Sequence, residues 1–139
     1  MEIAKNGKGT IKDFGELRIY KLGRELTAKI YELSKSPGFF KDYILAQHIR
    51  KTAISVVSNI AEGFERLNNK EFIVFLFIAK GSCGEIRAQL DVAYDQKYLD
   101  EKTQGNLSAQ YGQLGAMINK FILYLKKSEY TGLKHKPSD

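Results

Sequence analysis

Apolar residues recur at helical spacing in four long segments of this chain, and no hairpin signature interrupts them. In the first, about residues 15–34, Ile19, Leu22, Leu26, Ile30 and Leu33 fall on one stripe, and Ser36-Pro37-Gly38 ends it. The second, residues 42–64, places Leu45, Ile49, Ala53, Val56 and Ile60 in line. After the link at residues 65–69, Asn68 with Glu71 three positions on resembles a capping box. The third segment then runs to about residue 98 through Phe72, Leu76, Ala79, Cys83, Ile86, Leu90 and Ala93. Residues 72–79 alone could be a strand, but the helical period continues for several further turns. The fourth, residues 103–127, carries a heptad seam of Leu107, Tyr111, Leu114, Ile118, Phe121 and Leu125. Four helices with short links predict an all-α fold, an antiparallel up-down-up-down four-helix bundle over residues 14–127. Residues 1–13 are expected to form a flexible N-terminal arm, and residues 128–139 a C-terminal tail.

Two of the predicted helices have more apolar surface than one core stripe requires. On the second, Ile54, Val57 and Ala61 widen the apolar arc, while Gln47, His48, Lys51, Ser55, Ser58 and Glu62 gather opposite. On the third, Val74, Phe77 and Ile78 lie away from the stripe, on the same side as Gly81, Gly84 and Ala88. Mid-helix glycine costs up to about 1 kcal/mol against alanine, so two within a turn call for a packing reason. The eight positions Ile54, Val57, Ala61, Val74, Phe77, Ile78, Gly81 and Gly84 are therefore expected at an interface between subunits. A broad arc buried between two neighbouring helices of one chain is the plainer alternative.

Composition narrows the picture. The 139 residues fit one domain, and 43% hydrophobic content is ordinary for a globular chain. The longest apolar run is too short for a membrane span. A single cysteine, Cys83, cannot close an internal disulfide, which with the absence of an apolar secretory segment predicts a cytoplasmic protein. A net charge of +6 suits a nucleic-acid partner without requiring one.

Catalytic chemistry is thinly represented. His48 and His135 have no metal-ligating companion at Cys-x-x-Cys, His-x-x-x-His or Glu-x-x-His spacing, and there is no phosphate-cradling Gly-rich loop. Glu62 and Glu85 could face each other across two helices, but pairing with neighbouring bases is the simpler role. No catalytic residue, metal or cofactor is expected. What remains is a basic set: Arg18, Lys21 and Arg24 on the first helix, Arg50 and Lys51 on the second, Arg66 and Lys70 around the following link. Such side chains neutralise phosphates without reading sequence. Arg50 points into the widened apolar arc, so an ion pair between subunits competes with phosphate contact there. The tyrosines, among them Tyr31 and Tyr43, are not interleaved with basic residues like a base-stacking platform.

The stretch Gln47-His48-Ile49-Arg50-Lys51-Thr52-Ala53-Ile54-Ser55, followed by Ser58-Asn59-Ile60-Ala61-Glu62-Gly63-Phe64, Arg66, Lys70-Glu71-Phe72 and Ala79-Lys80-Gly81-Ser82, resembles the bacterial four-helix-bundle family first noticed in intervening sequences of 23S ribosomal RNA genes. Lys51 replaces the second arginine of the family's pattern, and Val57 its usual proline. The resemblance implies a homopentameric barrel. It is similar also to the accessory protein of diversity-generating retroelements, which associates with a reverse transcriptase and nucleic acid. Two functions are therefore expected: a non-enzymatic oligomer that binds RNA or DNA, or a scaffold for a protein partner such as a reverse transcriptase.

Overall fold

A computed structural model describes residues 11–130. They form five helices and no strand: α1 (Arg18–Leu33), α2 (Pro37–Lys41), α3 (Tyr43–Glu65), α4 (Asn69–Asp95) and α5 (Glu101–Tyr130), preceded by a 3-10 turn at Phe14–Glu16. The four long helices are antiparallel to their sequence neighbours. Thr27 lies beside Ala53, Ser55 beside Ser82, and Arg87 beside Ser108. Lys29 reaches Gln110, so α5 closes the bundle back onto α1. Helix α4 packs most extensively, against α3 on one side and α5 on the other.

The expected stripes form the core. Every stripe position of the third predicted helix and every seam position of the fourth is buried, Cys83 included, and so are Ile19, Leu26, Ile30, Ile49, Ala53, Val56 and Ile60. Leu22, Leu33 and Leu45 pack partly buried at its edge. Phe72 sits at the aromatic centre, with edge-to-face contacts to Phe64 and Phe121 at centroid distances of 6.0 and 5.4 Å.

Short polar residues start three of the four long helices, while α1 follows Leu17 without a side-chain cap. The carboxylates of Asp42 and Asp100 accept from Leu45 N and Thr103 N, at 3.1 and 2.7 Å. Asn68 accepts from Glu71 N at 3.0 Å, the first half of the expected capping box. The Glu71 carboxylate turns instead to Arg66.

Three boundaries differ from the sequence reading. Ser36-Pro37-Gly38 follows the end of α1, but Pro37 also opens α2, where its missing N–H and fixed φ are tolerated. Phe39 of α2 is fully buried and stacks on Tyr98 at 5.3 Å, and Tyr98 donates to the Asp42 carboxylate at 2.9 Å. That hydrogen bond raises the Tyr98 pKa. At the N-terminus, Ile11 belongs to the core, so the expected arm is anchored there; residues 1–10 of it lie outside the described residues. At the other end α5 continues to Tyr130 with Ser128 buried, three residues into the expected tail, and residues 131–139 lie outside the described residues.

Helices α3 and α4 approach closely where they leave their shared link. A Cβ on Gly63 would come within 2.8 Å of both Phe72 Cδ1 and Phe75 Cβ. A similar approach brings Val57 Cγ1 to 2.8 Å from the Cβ position of Gly23 in α1. Gly105 of α5 meets nothing within 4 Å. We predict that Gly63→Ala lowers stability by about 1–3 kcal/mol through overpacking. Gly105→Ala should raise it by up to about 1 kcal/mol through helix propensity. Thermal unfolding followed by circular dichroism reads both, and equal effects of one sign would contradict the close approach.

Candidate functional site

The outward face of α4 departs from ordinary surface chemistry. Val74 is 56% exposed, and Phe77 and Ile78 are each 47% exposed. Gly81, Gly84, Ala88 and Val92 continue the same side of the helix at spacings of three and four, all exposed. A Cβ at Gly81 or Gly84 would meet no atom within 4 Å, so nothing inside the chain requires glycine at either place. Lys126 of α5 lies over the Phe77 ring at 5.2 Å, and the exposed Leu123 stands one turn before Lys126 on α5. Of the remaining expected interface residues, Ile54 is exposed and Ala61 half-buried. Val57 is half-buried too, with Cγ1 against the Cβ position of Gly23, so part of its apolar surface serves the α1–α3 contact.

Between α3 and α4 runs a polar seam. His48 Nε2 stands 3.3 Å from Glu85 Oε2. Gln89 donates to Thr52 Oγ1 at 3.2 Å, and Thr52 donates to the His48 carbonyl at 2.8 Å. The Ser55 and Ser82 hydroxyls meet at 3.1 Å, and Asn59 donates to the Ser55 carbonyl at 2.8 Å. Thr52, Ser55 and Asn59 on α3 repeat at spacings of three and four, as do Ser82, Glu85 and Gln89 on α4, so two antiparallel helices keep them in register. Most polar groups of the seam pair with one another, while the buried Gln89 Oε1 has no hydrogen-bond partner. Among the described residues no group of three or more His, Cys, Asp or Glu side chains is placed to hold a metal ion. Glu62 binds Arg66 at 2.9 Å and does not face Glu85, which pairs with His48.

The basic residues divide into engaged and free. Arg66 is shared between Glu62 and Glu71, at 2.9 and 3.4 Å, and lies over Phe75 at 5.0 Å. The hydrogen bond to Glu62 raises its pKa, and the charges of Glu62 and Glu71 act in the same direction. Arg66 thus closes the α3–α4 link and has little left for phosphate. Arg50 is also held within the chain. Its Nε donates to Ser34 Oγ at 2.7 Å, and its guanidinium lies 4.7 Å from the Tyr31 ring centroid and 5.7 Å from that of Phe40. Contacts of this kind contribute roughly 0.5–2 kcal/mol each. Lys51 and Lys70 are exposed. Arg18, Lys21 and Arg24 are exposed along α1, and no ion pair among the described residues neutralises them.

A family model described as "23S rRNA-intervening sequence protein" matches residues 15–120. The chain belongs to this family. The fold is shared with a solved structure at low identity. A crystal structure, solved at 1.70 Å, of a protein with unknown function from the S23 ribosomal protein family of Bacteroides thetaiotaomicron VPI-5482 superposes with a TM-score of 0.68. The match has 17% identity and covers 75% of this chain and 97% of the other. A likeness at that identity speaks for the fold alone. No curated protein sequence matches this chain.

Two groups deep in this family fold titrate late. Burial pushes the Cys83 thiol up to about 12. Burial also raises the Tyr111 hydroxyl, with the nearby Thr27 hydroxyl acting the other way. Both are protonated in the folded chain at pH values where the unfolded chain loses the proton. The unfolded state then binds fewer protons, and stability falls as pH rises above the unfolded values, 9.0 for the thiol and 10.0 for the phenol. We predict that Cys83 resists thiol reagents at pH 8 until denaturant is added. Cys83→Ala should flatten the decline in stability between about pH 9 and 12 by close to one proton. Rapid native-state labelling, or an unchanged slope in the variant, would contradict the buried, neutral thiol.

Proposed function

We propose that the chain is a non-enzymatic subunit that associates with copies of itself through the outer face of α4, and that the assembled particle holds RNA by phosphate contacts. The observation that carries the self-association is the continuous apolar and small-residue side of α4. Exposed Phe, Ile and Val in a row are a solubility liability on a lone chain. Two glycines with open space above them give a second backbone room to approach. Closed homo-oligomers are the common outcome of such a surface. A five-membered barrel is the arrangement that the sequence resemblance implies.

RNA binding is supported by charge that the fold leaves unspent. Arg66 is spent on Glu62 and Glu71 and Arg50 is fixed at Nε by Ser34, so contact along an RNA backbone falls to Arg18, Lys21 and Arg24 of α1, with Lys51 and Lys70 as further exposed cations. Every copy added to an assembly repeats that set. Contacts of this kind bind backbone without reading bases.

Two experiments test the two halves. Phe77→Glu places a charge in the centre of the α4 face and is expected to reduce the mass measured by light scattering to that of a smaller species. An unchanged mass contradicts the assignment of this face. A wild type that is one chain in isolation, and acquires a mate only with a different protein such as a reverse transcriptase, would replace self-association by the scaffold reading. For RNA, the affinity of the full chain for a structured RNA should fall steeply with salt. Replacing Arg18, Lys21 and Arg24 together by Gln should reduce the slope of log K against log salt by about 2 for each engaged subunit. An unchanged slope in a mobility-shift titration would remove α1 from the contact.

A further inference from the structure

We propose that the groove between α1, α2 and the first half of α3 binds a nucleoside 5′-monophosphate group, free or at the end of an RNA chain. This goes beyond the backbone contacts of α1, because the groove recognises a terminal phosphate together with a base and shares none of Arg18, Lys21 and Arg24. It is an open depression of about 530 Å³ lined by Tyr31, Phe40, Tyr43, Gln47, Arg50 and Lys51, among others. That is larger than a bare phosphate needs and within the size of ordinary small-molecule sites.

The groove is built around a fixed guanidinium. Ser34 is fully buried and donates its hydroxyl proton to the Ile30 carbonyl at 2.8 Å, so its lone pairs accept from Arg50 Nε. The rings of Tyr31 and Phe40 lie within 6 Å of the same guanidinium, as the cation–π distances above record. Held by a buried hydroxyl at Nε, Arg50 has its two terminal nitrogens without an acceptor among the described residues. No carboxylate among the described residues pairs with Arg50 or with Lys51. Asp42 lies at the start of α3, but its oxygens are taken by Leu45 N and the Tyr98 hydroxyl. A planar fork with two free donor nitrogens matches a phosphate bidentately. The neighbouring Lys51 supplies a second cation, which favours a terminal phosphate dianion over a carboxylate.

The rest of the groove suits a base. Phe40 and Tyr43 are exposed, with ring centroids 6.5 Å apart and planes tilted by 52°. Their outer faces offer stacking that any base satisfies. Gln47 stands one turn before Arg50 and Lys51 on α3 and carries both an amide donor and an acceptor for a base edge.

Isothermal titration of the full chain with AMP, adenosine and inorganic phosphate tests this. AMP should bind, with adenosine and inorganic phosphate each weaker by about tenfold or more, since each lacks half of the recognition. Arg50→Lys keeps the charge but loses the fork and should weaken AMP by about tenfold. Lys51→Ala and Tyr43→Ala are exposed changes that should weaken it severalfold without altering the circular dichroism. A six-nucleotide RNA with a 5′-phosphate, set against the same RNA with a 5′-hydroxyl, separates the sources: preference for the phosphorylated end marks an RNA terminus, and binding of AMP alone marks a free nucleotide. The proposal is overturned if AMP gives no binding at millimolar concentration, if inorganic phosphate matches AMP, or if Arg50→Lys and Lys51→Ala bind AMP like the wild type. Loss of AMP binding in these variants with long-RNA binding retained would support the groove and leave the α1 surface untouched. Failure of the α1 variant to change the salt slope says nothing against the groove.

Discussion

The close approach of α3 and α4 at Gly63 fixes the geometry on which the other contacts rest. Phe72 and Phe75 lie where any side chain at Gly63 would have to be, so the two helices leave their link in one mutual rotation. That rotation puts Phe72 into the aromatic centre with Phe64 and Phe121. It brings Ser55 against Ser82 and His48 against Glu85 along the seam. It also turns Val74, Phe77 and Ile78 outward. An apolar helix face in solvent is thus a consequence of how tightly the core face of the same helix is held.

Most of the core was legible in the sequence because α4 and α5 carry uninterrupted stripes. A run such as Phe72, Leu76, Ala79, Cys83, Ile86, Leu90 and Ala93 admits one buried face and one period. The short α2 was not legible. Ser-Pro-Gly signals a break whichever side of it one stands on, and only the burial of Phe39 against Tyr98 shows that a new turn of helix begins at Pro37. The polar seam was not legible for a different reason. Its residues are small or amide-bearing, at helical spacing, and such a stripe looks solvated until a matching stripe on the next helix is placed opposite. The one chain signal for it was that Ser82, Glu85 and Gln89 on α4 recur at the same spacings of three and four as Thr52, Ser55 and Asn59 on α3.

The candidate sites depended still more on tertiary structure. Arg50 reads as an unpaired base beside Lys51, and Tyr31, Ser34 and Phe40 read as parts of another helix and a loop. Folding brings the three around one guanidinium, which fixes its orientation and removes the need for a carboxylate. Conversely, Arg66 reads as a candidate phosphate contact, and folding spends it on Glu62 and Glu71. Charge counted along a sequence therefore overstates what is available to a partner, and here Arg18, Lys21 and Arg24 of α1, with Lys51 and Lys70, stay exposed. Gly81 and Gly84 were the opposite case. Mid-helix glycines were a sequence signal, and the fold sharpened it by giving them nothing to pack against.

The central claim is that the outer face of α4 is covered in solution by another copy of the chain. Hydroxyl-radical footprinting of the full protein addresses it without any substitution, because the chain supplies its own reference. Phe77 is 47% exposed and Phe40 is 49% exposed in the single chain, and the two are chemically identical. At micromolar concentration Phe77 and Ile78 should be protected relative to Phe40, with protection lost on dilution. Equal modification of Phe77 and Phe40 at all concentrations would contradict the account.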